Sequence, residues 1–449
     1  MTEHVPAQPV LAALRRGDLA GARELRFAPG LTTFPREVFD LADTLEILDL
    51  SGGALTALPD DLGRLRSLRA LFCSGNPFER LPPVLGDCAS LSQVGFRGCG
   101  LREVPAESLP PLLRWLTLTD NRIEVLPEAL GRRPHLQKLM LSGNRLEILP
   151  RSLCGAGSLE LIRLSANRFE AVPAWLTDLP RLAWATWAGN PVERGRAPAA
   201  GAAIAGAAIT GVAIPWADLD LGAILGEGAS GRVHQARWRG PGGAEAVAVK
   251  LFKGSMTSDG LPESEMAACL AAGGHPNLAG GLGRVEGHPE EAQGLVMPLL
   301  PAHWRVLAGP PSLASCSRDV YAPDLVLDPL VAWRLARAAA AAAAHLHAGG
   351  LLHGDLYAHN VLWDGTGGKA VLGDLGAACA LPVGEAGARW QRVETRAWGL
   401  LLGELLDRCT DAPAGLRALE RACVGPEVRA RPLMAEVLER LDALRPGAA

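Results

Sequence analysis

The sequence predicts two folds in one chain: an α/β solenoid of repeated units, followed by an α+β domain with two lobes. The first half repeats a leucine pattern with a period of 23 residues, broken once by 22. The second half has a glycine-rich stretch, a β-branched strand and long helical segments. An Ala/Gly-rich stretch between the halves is typical of a linker. The expected boundaries are therefore 1–196 for the solenoid, 197–213 for the linker and 214–446 for the second domain.

Composition narrows the possible functions. The chain has 449 residues, 48% of them hydrophobic, which is enough for more than one core. A formal charge of -4 gives no basic field for a phosphate backbone, so we expect no nucleic-acid partner. The nine cysteines form no C-x-x-C pair, which argues against a disulfide framework or a zinc site and favours a reducing cytosol.

The termini and the linker give no sign of a membrane. The start, "MTEHVPAQPV", lacks the basic and apolar regions of a secretory signal, so a cytoplasmic location is predicted. The uncharged stretch from Ala197 to Ala217 is mostly Ala and Gly, with few strong apolar residues. We interpret it as a linker and expect no membrane span.

Seven segments align on leucine, from "LEILDLSGGALTALP" at Leu45 to "LAWATWAGNPV" at Leu182. They match L-x-x-L-x-L-x-x-N/C-x-L and resemble intracellular leucine-rich repeats. Each coil must stack on its neighbours to bury its leucines, and a buried Asn bonds free backbone groups at the turn. Residues 22–44 are expected to form a degenerate first coil, preceded by a helical cap near Pro9 to Ala22. The Asn position holds Asn76, Asn121, Asn144, Asn167 and Asn190, with Gly53 and Cys99 in two other coils.

Apolar residues also stand at strand positions that should face the concave surface. Exposed aromatic residues there would be anchors for a protein partner or substrate. The alternative is that they pack on the chain's own C-terminal domain or on each other. The residues are Phe72, Trp115, Met140, Leu161 and Trp184.

The second half opens with a glycine-rich motif. In "LGEGASGRVHQARW", Gly226, Gly228, Gly231 and Val233 fit G-x-G-x-x-G-x-V, which is weak evidence alone in a chain with 52 glycines. "AEAVAVKLFK" then supplies a strand ending in Lys250. The next segment, "ESEMAACLAAGGHPNL", predicts a helix from which a glutamate could reach that lysine. Glu265 is the expected partner and Glu263 the competitor.

Residues 351–363, "LLHGDLYAHNVLW", complete the set. Asp355 and Asn360 have the spacing of H-R-D-x-x-x-x-N, and Asp374 follows in "VLGDLGAA". From Ile214 to about Leu444 the chain resembles the protein-kinase superfamily, which implies ATP and Mg²⁺ as cofactors. By this resemblance Asp355 is the catalytic base, Lys250 and Glu265 form the phosphate-binding pair, and Asn360 and Asp374 hold the metal. The implied ATP contacts are Gly226, Gly228, Ser230, Gly231, Val233, Ala248, Lys250, Met297 and Leu299.

Four departures from the family pattern concern regulation and substrate. Gly354 replaces the Arg that grips a phosphorylated activation loop, and no Ser, Thr or Tyr lies between Asp374 and Glu394. Activation-loop phosphorylation is therefore not expected as a switch. The same segment lacks A-P-E, and Tyr357 stands where Ser/Thr kinases carry a Lys. In these respects the loop resembles aminoglycoside and choline phosphotransferases.

We therefore predict a cytosolic, bacterial-type leucine-rich repeat protein kinase. It would transfer the γ-phosphate of ATP to Ser or Thr hydroxyls, while the solenoid binds a protein partner or substrate. One alternative is a pseudokinase scaffold in which only the solenoid acts. The other is a small-molecule phosphotransferase with an appended repeat domain.

Overall fold

The computed structural model describes residues 9–194, 212–228, 230–254, 256–257 and 259–446. The chain divides into two compact units, Met1–Arg181 and Leu182–Ala449. The seventh leucine repeat, which begins at Leu182, thus belongs to the second unit. Most of the predicted linker, 197–211, lies outside the described residues, and its last two residues are already part of a strand, Val212–Pro215.

The first unit is a stack of coils whose short strands pair in parallel, each with the next strand along the chain. Each strand is followed by a 3₁₀ segment, the first being Arg36–Leu41 and the last Ala174–Asp178. The central residue of each strand is buried, as Leu71 and Leu139 are, so the repeat leucines form the core. The strands are Glu24–Arg26, Ile47–Asp49, Ala70–Phe72, Gln93–Gly95, Trp115–Thr117, Lys138–Met140 and Leu161–Arg163.

The first of these strands confirms the degenerate first coil. It pairs in parallel with Ile47–Asp49, and its central residue, Leu25, is buried. The helix that precedes it, Pro9–Arg16, is shorter than the predicted cap, because turns at Gly17 and Gly21 with positive φ follow it.

The predicted asparagines bind backbone groups of two coils. Asn121 Oδ1 accepts from the amides of Cys99 and Leu101 at 3.1 and 2.9 Å, and its Nδ2 donates to the carbonyls of Phe96 and Leu118. Asn76, Asn144 and Asn167 repeat this arrangement. These bonds satisfy backbone groups that the turn leaves without partners in a strand or helix.

The two exceptional coils are filled differently. The Cys99 thiol donates to the carbonyl of Cys73 at 3.3 Å, so it takes over part of the asparagine's role. A side chain at Gly53 would lie 2.5 Å from the Leu31 carbonyl oxygen and 2.7 Å from Asn76 Oδ1. The glycine is therefore required by the close approach of the neighbouring coil.

Five apolar strand residues were predicted to face the concave surface, and the prediction that they are exposed there is wrong for three of them. Met140, Leu161 and Trp184 are buried, Trp184 with only 2% of its surface exposed. Phe72 and Trp115 are half-buried, and Lys138 Nζ lies 4.1 Å from the centroid of the Trp115 ring. An anchor for a partner must be accessible, and buried side chains are not.

The smaller lobe of the second unit is a six-stranded sheet with one helix, Pro262–Ala271. Its core contains Val247, Val249 and Val296. Chain order differs from sheet order because Val212–Pro215 pairs in parallel with Gly283–Glu286 at the far edge. From the opposite edge, the strands are Leu219–Glu227, Gly231–Gly240, Gly243–Phe252, Gly294–Pro298, Gly283–Glu286 and Val212–Pro215.

The larger lobe is mainly helical. Its helices are Pro329–Ala348, Glu385–Leu406, Ala414–Val424 and Met434–Ala443. The first two pack together, and Trp398 Nε1 donates to the Ala336 carbonyl at 2.9 Å. Five alanines of the run from Ala338 are buried where this helix packs on its neighbours, because small side chains let elements approach closely.

Short strands frame the loops of this lobe. Arg305–Val306, Val361–Trp363 and Ala370–Leu372 form one sheet, and Leu351–Leu352 pairs with Cys379–Ala380. Residues 353–360, hereafter the Asp355 loop, therefore lie between two strand ends.

The nine cysteines all lie among the described residues, and no disulfide joins them. Seven are buried, Cys409 is half-buried and Cys154 is exposed. Burial raises the pKa of Cys88 to about 12 and that of Cys99 to about 11. Within the described ranges, no helix has both the length and the apolar character needed to cross a bilayer.

Candidate functional site

The first element of the site is an ion pair between the small-lobe sheet and its helix. Lys250 Nζ lies 2.5 Å from Glu265 Oε1, and both side chains are buried. Lys250 sits opposite Leu295 in the sheet, and Glu265 is in the first turn of the helix. Glu263, the competing glutamate, is hydrogen-bonded instead by the side chain of Gln293. The expected pair is thus brought together.

Asp374 influences the charge of this pair. Burial and the nearby Asp374 carboxylate raise the pKa of Glu265 to about 7, against the opposing effect of Lys250. Burial lowers the pKa of Lys250, but the carboxylates of Asp374 and Glu265 outweigh it and the net pKa is raised. One ammonium therefore faces two carboxylates, which is an environment that attracts a further cation.

Replacing Lys250 by methionine is expected to destabilise the second unit more at pH 8 than at pH 6. In the parent, the folded-state pKa of Glu265 lies above the unfolded value of 4.5, so stability falls as pH rises from there to about 7. Loss of the ammonium raises this pKa further and extends the fall to higher pH, at up to about 1.4 kcal/mol per pH unit. Thermal denaturation of the variant and the parent at the two pH values measures the difference.

The double variant Lys250→Met/Glu265→Gln is the matched control, because an amide cannot titrate. We expect its loss of stability relative to the parent to change much less between pH 6 and pH 8 than that of the single variant. Equal losses at both pH values in the single variant would contradict the assignment.

The second element is the Asp355 loop. Asn360 Nδ2 donates to Asp355 Oδ2 at 2.9 Å and to the Asp355 carbonyl at 2.8 Å. These bonds hold the Asp355 carboxylate against the backbone of its own loop. Because the Asn360 nitrogen is engaged in them, its amide oxygen is the atom available to a cation.

Asp374 has an unusual backbone. Its φ of 54° places a non-glycine residue in the left-handed region, a strained conformation that is concentrated at functional sites. Its Oδ1 accepts from the Gly376 amide at 3.1 Å, and the residue is exposed. A side chain at Gly376 would lie 3.0 Å from Asp374 Oδ1 and 3.3 Å from Glu265 Oε2. Glycine at 376 therefore leaves room for the two carboxylates to stay close.

His353 connects the loop to the strand before Asp374. It is fully buried, its Nδ1 accepts from the Asp355 amide at 3.2 Å, and its Nε2 lies 3.0 Å from the Gly373 carbonyl oxygen. Since Nδ1 accepts, Nε2 carries the proton and donates. His353 is thus part of the loop's own hydrogen-bond network.

Glu394, on the helix Glu385–Leu406, accepts hydrogen bonds from the backbone at the start of the loop. It is 1% exposed and accepts from the amides of Gly354 and His353 at 2.6 and 3.3 Å. His347 Nε2 lies 2.7 Å from Glu394 Oε2, the oxygen that also accepts from the His353 amide. Burial raises the pKa of Glu394, but the hydrogen bond and the electrostatic attraction of His347, together with the hydrogen bond from the Gly354 amide, outweigh it and lower the pKa. The carboxylate therefore stays ionised and fixes the loop.

Gly354 is required by its surroundings. Its φ is +74°, and a side chain there would lie 2.6 Å from the Ala377 carbonyl oxygen and 2.8 Å from that of Ala185. The absence of an arginine at this position thus has a steric cause, because no Cβ fits.

Substituting Gly354 by alanine is expected to destabilise the second unit by about 2–4 kcal/mol, combining left-handed strain with overpacking. Gly287→Ala is the matched control, since φ is +71° there and nothing lies within 4 Å of the added carbon. It should cost only about 1–2 kcal/mol. Chemical denaturation compares the two, and equal losses would show that the contacts with Ala185 and Ala377 do not matter.

The glycine-rich hairpin joins two strands of the small-lobe sheet, and the second of them pairs with the strand that carries Lys250. A side chain at Gly226 or Gly228 would meet no atom of the described residues within 4 Å, so their packing does not explain these glycines. A ligand that approaches the backbone closely does explain them. Gly231 is different, because its Cβ would lie 2.4 Å from the Leu251 carbonyl oxygen. Ser230 and Val233 flank Gly231, and Val233 pairs with Lys250 across the sheet.

The remaining predicted ATP contacts lie where the sheet meets the larger lobe. Ala248 is buried and pairs with Met297 on the adjacent strand. Met297 and Leu299 are half-buried, and Pro298 between them offers a carbonyl but no N–H.

A divalent cation fits the donor set. In the part of the chain that the structure describes, no group of three or more His, Cys, Asp or Glu side chains is placed to hold a metal alone. Asn360 and Asp374 instead offer one amide and one carboxylate oxygen. Mg²⁺ uses such a partial set together with substrate phosphates and water.

Sequence reasoning missed a second histidine in the loop. His359 Nδ1 lies 2.7 Å from Asp319 Oδ1, and its amide donates to Asp319 Oδ2 at 2.9 Å. Its Nε2 is 4.0 Å from Asp355 Oδ2. Burial lowers the pKa of His359, but Asp319 and the nearby carboxylates of Asp355 and Asp374 outweigh it and raise the pKa.

Sequence reasoning left open whether Trp184 packs on the C-terminal domain, and Trp184 does contact the loop. Trp184 Nε1 donates to the Leu356 carbonyl at 2.9 Å, and its ring stacks on Tyr357 at 4.1 Å. This is the alternative foreseen for the apolar strand residues, packing on the chain's own C-terminal domain.

Comparison with known proteins agrees with this geometry. The family described as protein tyrosine and serine/threonine kinase matches residues 219–396, and the leucine rich repeat family matches 111–169. A solved leucine-rich repeat protein of Leptospira interrogans is similar to part of the chain, with 29% identity and a TM-score of 0.33. The match covers 36% of this chain and 41% of that one, less than half of its length. No curated protein matches the chain.

The second unit therefore contains a protein kinase domain, of a family that covers both tyrosine and serine/threonine kinases. The chain as a whole combines this domain with a leucine-rich repeat region.

Proposed function

We propose that the protein transfers the γ-phosphate of ATP to a Ser or Thr hydroxyl of a protein substrate. The observation that carries this proposal is the cluster of Lys250, Glu265 and Asp374, which lies beside a loop where Asn360 holds Asp355. Each group that phosphoryl transfer needs is present: a cation for the phosphates, oxygen ligands for a metal and a carboxylate for the hydroxyl.

The roles follow from the chemistry of the groups. Lys250, held by Glu265, would pair with α- and β-phosphate oxygens. Asn360 and Asp374 would hold Mg²⁺, which neutralises the phosphate charge when it is bound. Asp355 would accept or orient the proton of the attacking hydroxyl. Phosphoryl transfer depends mainly on positioning and charge, so the bonds that hold these side chains are as important as their identity.

The repeat region would bind the protein partner or substrate. Solenoids present extended surfaces that suit protein recognition. Of the five apolar strand residues, Phe72 and Trp115 keep part of their surface exposed and are the remaining candidates for such a contact.

The length of the segment after Asp374 favours a second candidate, a small-molecule phosphotransferase. Only residues 375–384 separate Asp374 from the helix that begins at Glu385. A protein kinase normally uses a longer segment here to support a peptide, as the missing A-P-E motif already indicated.

Purified full-length protein with Mg²⁺ and γ-labelled ATP separates the candidates. We expect label in the protein itself or in a generic protein acceptor, with phosphoserine or phosphothreonine after acid hydrolysis. Phosphotyrosine would contradict the acceptor class. Label only in an aminoglycoside or choline would support the second candidate, and ATP binding without turnover would support a scaffold.

A further inference from the structure

The segment 182–194, hereafter the last coil, lies in the same compact unit as the kinase domain. Its strand, Trp184–Thr186, carries the buried Trp184. The indole ring lies parallel to Tyr357, with an interplanar angle of 5°. Its N–H donates to the Leu356 carbonyl one residue away. A stacked ring and a directed hydrogen bond together restrict both the position and the orientation of the loop backbone.

The last coil also touches the loop one residue before Asp355. The Ala185 carbonyl oxygen packs against Gly354, at the point where no Cβ fits. Asp355 therefore lies between two residues that the last coil contacts, Gly354 and Leu356. Movement of the coil away from the loop would remove the restraint on both sides of the carboxylate.

Two further contacts reach the segment after Asp374. Glu193 Oε1 accepts from the Ala380 amide at 2.7 Å, and the Trp187 ring packs on Trp390 with centroids 4.5 Å apart. Ala380 belongs to the short segment 375–384, and Trp390 to the second turn of the helix that follows it. The last coil thus holds both parts of the site that bear a functional aspartate.

These contacts stand where a phosphorylated residue and its arginine would act. Gly354 excludes the arginine, and residues 375–393 contain no hydroxyl group to phosphorylate. A segment that lacks this charge pair needs another restraint to keep its functional geometry.

We propose that the last coil is a permanent positioning element of the kinase domain, with Trp184 as the residue that fixes the Asp355 loop. This inference rests on the proposed phosphoryl transfer for its functional meaning. Trp184 touches neither ATP nor the acceptor in this mechanism, and it acts through Leu356 and Tyr357.

The test compares two substitutions in the full-length protein. Trp184→Ala removes the stack and the hydrogen bond, and Trp184→Phe keeps a ring against Tyr357 but loses the N–H donor. Ile47→Ala is the matched control, because Ile47 occupies the first position of an earlier repeat strand, just as Trp184 does of its own. We measure kcat, the KM for ATP, and hydrogen exchange of the peptide 351–363.

For Trp184→Ala we expect kcat to fall by about 10- to 100-fold, since a displacement of about 1 Å can cost that much. The KM for ATP should stay within about twofold, because Lys250 and the glycine hairpin are not touched. Exchange of the 351–363 amides should rise. Trp184→Phe should fall between the parent and Trp184→Ala, and Ile47→Ala should match the parent in all three measurements.

The outcomes separate this inference from the proposed function. Unchanged exchange and unchanged kcat in Trp184→Ala overturn it. A loss of kcat accompanied by an equal loss of ATP affinity also overturns it, because that indicates general unfolding. If the parent transfers no phosphate, the proposed function fails, and faster exchange in the variant still supports the positioning role. If Trp184→Ala does not fold, the exchange of Trp184→Phe decides.

Discussion

Phosphoryl transfer by the Asp355→Asn variant is expected to be about 10³-fold slower than by the parent. The amide oxygen can still accept from Asn360 Nδ2, which lies 2.9 Å from Oδ2 in the parent, so the loop should keep its conformation. What is lost is the carboxylate that takes or orients the proton of the attacking hydroxyl. The measurement is the rate of label transfer from γ-labelled ATP under saturating Mg²⁺.

Nucleotide binding should survive this substitution, because Lys250 and Asp374 are unchanged. A fluorescent ATP analogue should bind within about threefold of the parent affinity. Asp411→Asn, at an exposed aspartate of the same unit, is the control for loss of a negative charge. A variant as active as the parent would refute the role of Asp355.

The second large effect is expected for Asp374→Asn, which should abolish the dependence of nucleotide affinity on Mg²⁺. In the parent, chelating the metal with EDTA should weaken nucleotide binding, because Asp374 would hold a divalent ion that neutralises the phosphate charge. In the variant, affinity should be low with or without the metal, and transfer should fall by about 10³-fold or more. Titration of a nucleotide analogue in Mg²⁺ and in EDTA measures this.

The substitution is conservative for the local structure. An asparagine oxygen can still accept from the Gly376 amide, which lies 3.1 Å from Oδ1, and asparagine tolerates the left-handed backbone at φ 54°. The thermal stability should therefore change little. Parent-like affinity that still responds to Mg²⁺ would exclude Asp374 as a metal ligand.

The repeated coils were predictable because each one must solve the same packing problem. A buried leucine at the centre of each strand and an asparagine at each turn recur at a fixed spacing, so the pattern is visible in the sequence itself. The exposure of side chains beside these leucines was not predictable. Met140 and Leu161 stand in repeat strands beside the core leucines, at positions where a side chain can be exposed or buried. Only the surrounding structure decides that both are buried.

The candidate site was predictable where residues act within short motifs. Asp355 and Asn360 are five residues apart, and the loop that separates them brings them into contact. The choice between Glu263 and Glu265 was not decided by spacing, because both lie in one helical turn and either could face the sheet. Packing against Lys250 and Gln293 made the distinction.

Contacts between distant segments left no signal in the sequence. Asp319 and His359 are 40 residues apart, and Trp184 and Leu356 are 172 apart. Neither pair belongs to a periodic pattern or a motif. A tryptophan in a repeat strand is equally compatible with a partner surface and with an internal contact, and the structure shows the internal one.

The distribution of the cysteines makes the protein suitable for labelling without mutation. Reagents such as maleimides attack the thiolate, which is scarce at Cys88 and Cys99 near neutral pH. Cys154 is exposed, on the 3₁₀ segment Arg151–Gly155 of the repeat region. A brief reaction should therefore attach one dye to each molecule at that position. The fluorescence anisotropy of this dye would then rise when a protein partner binds to the repeat region.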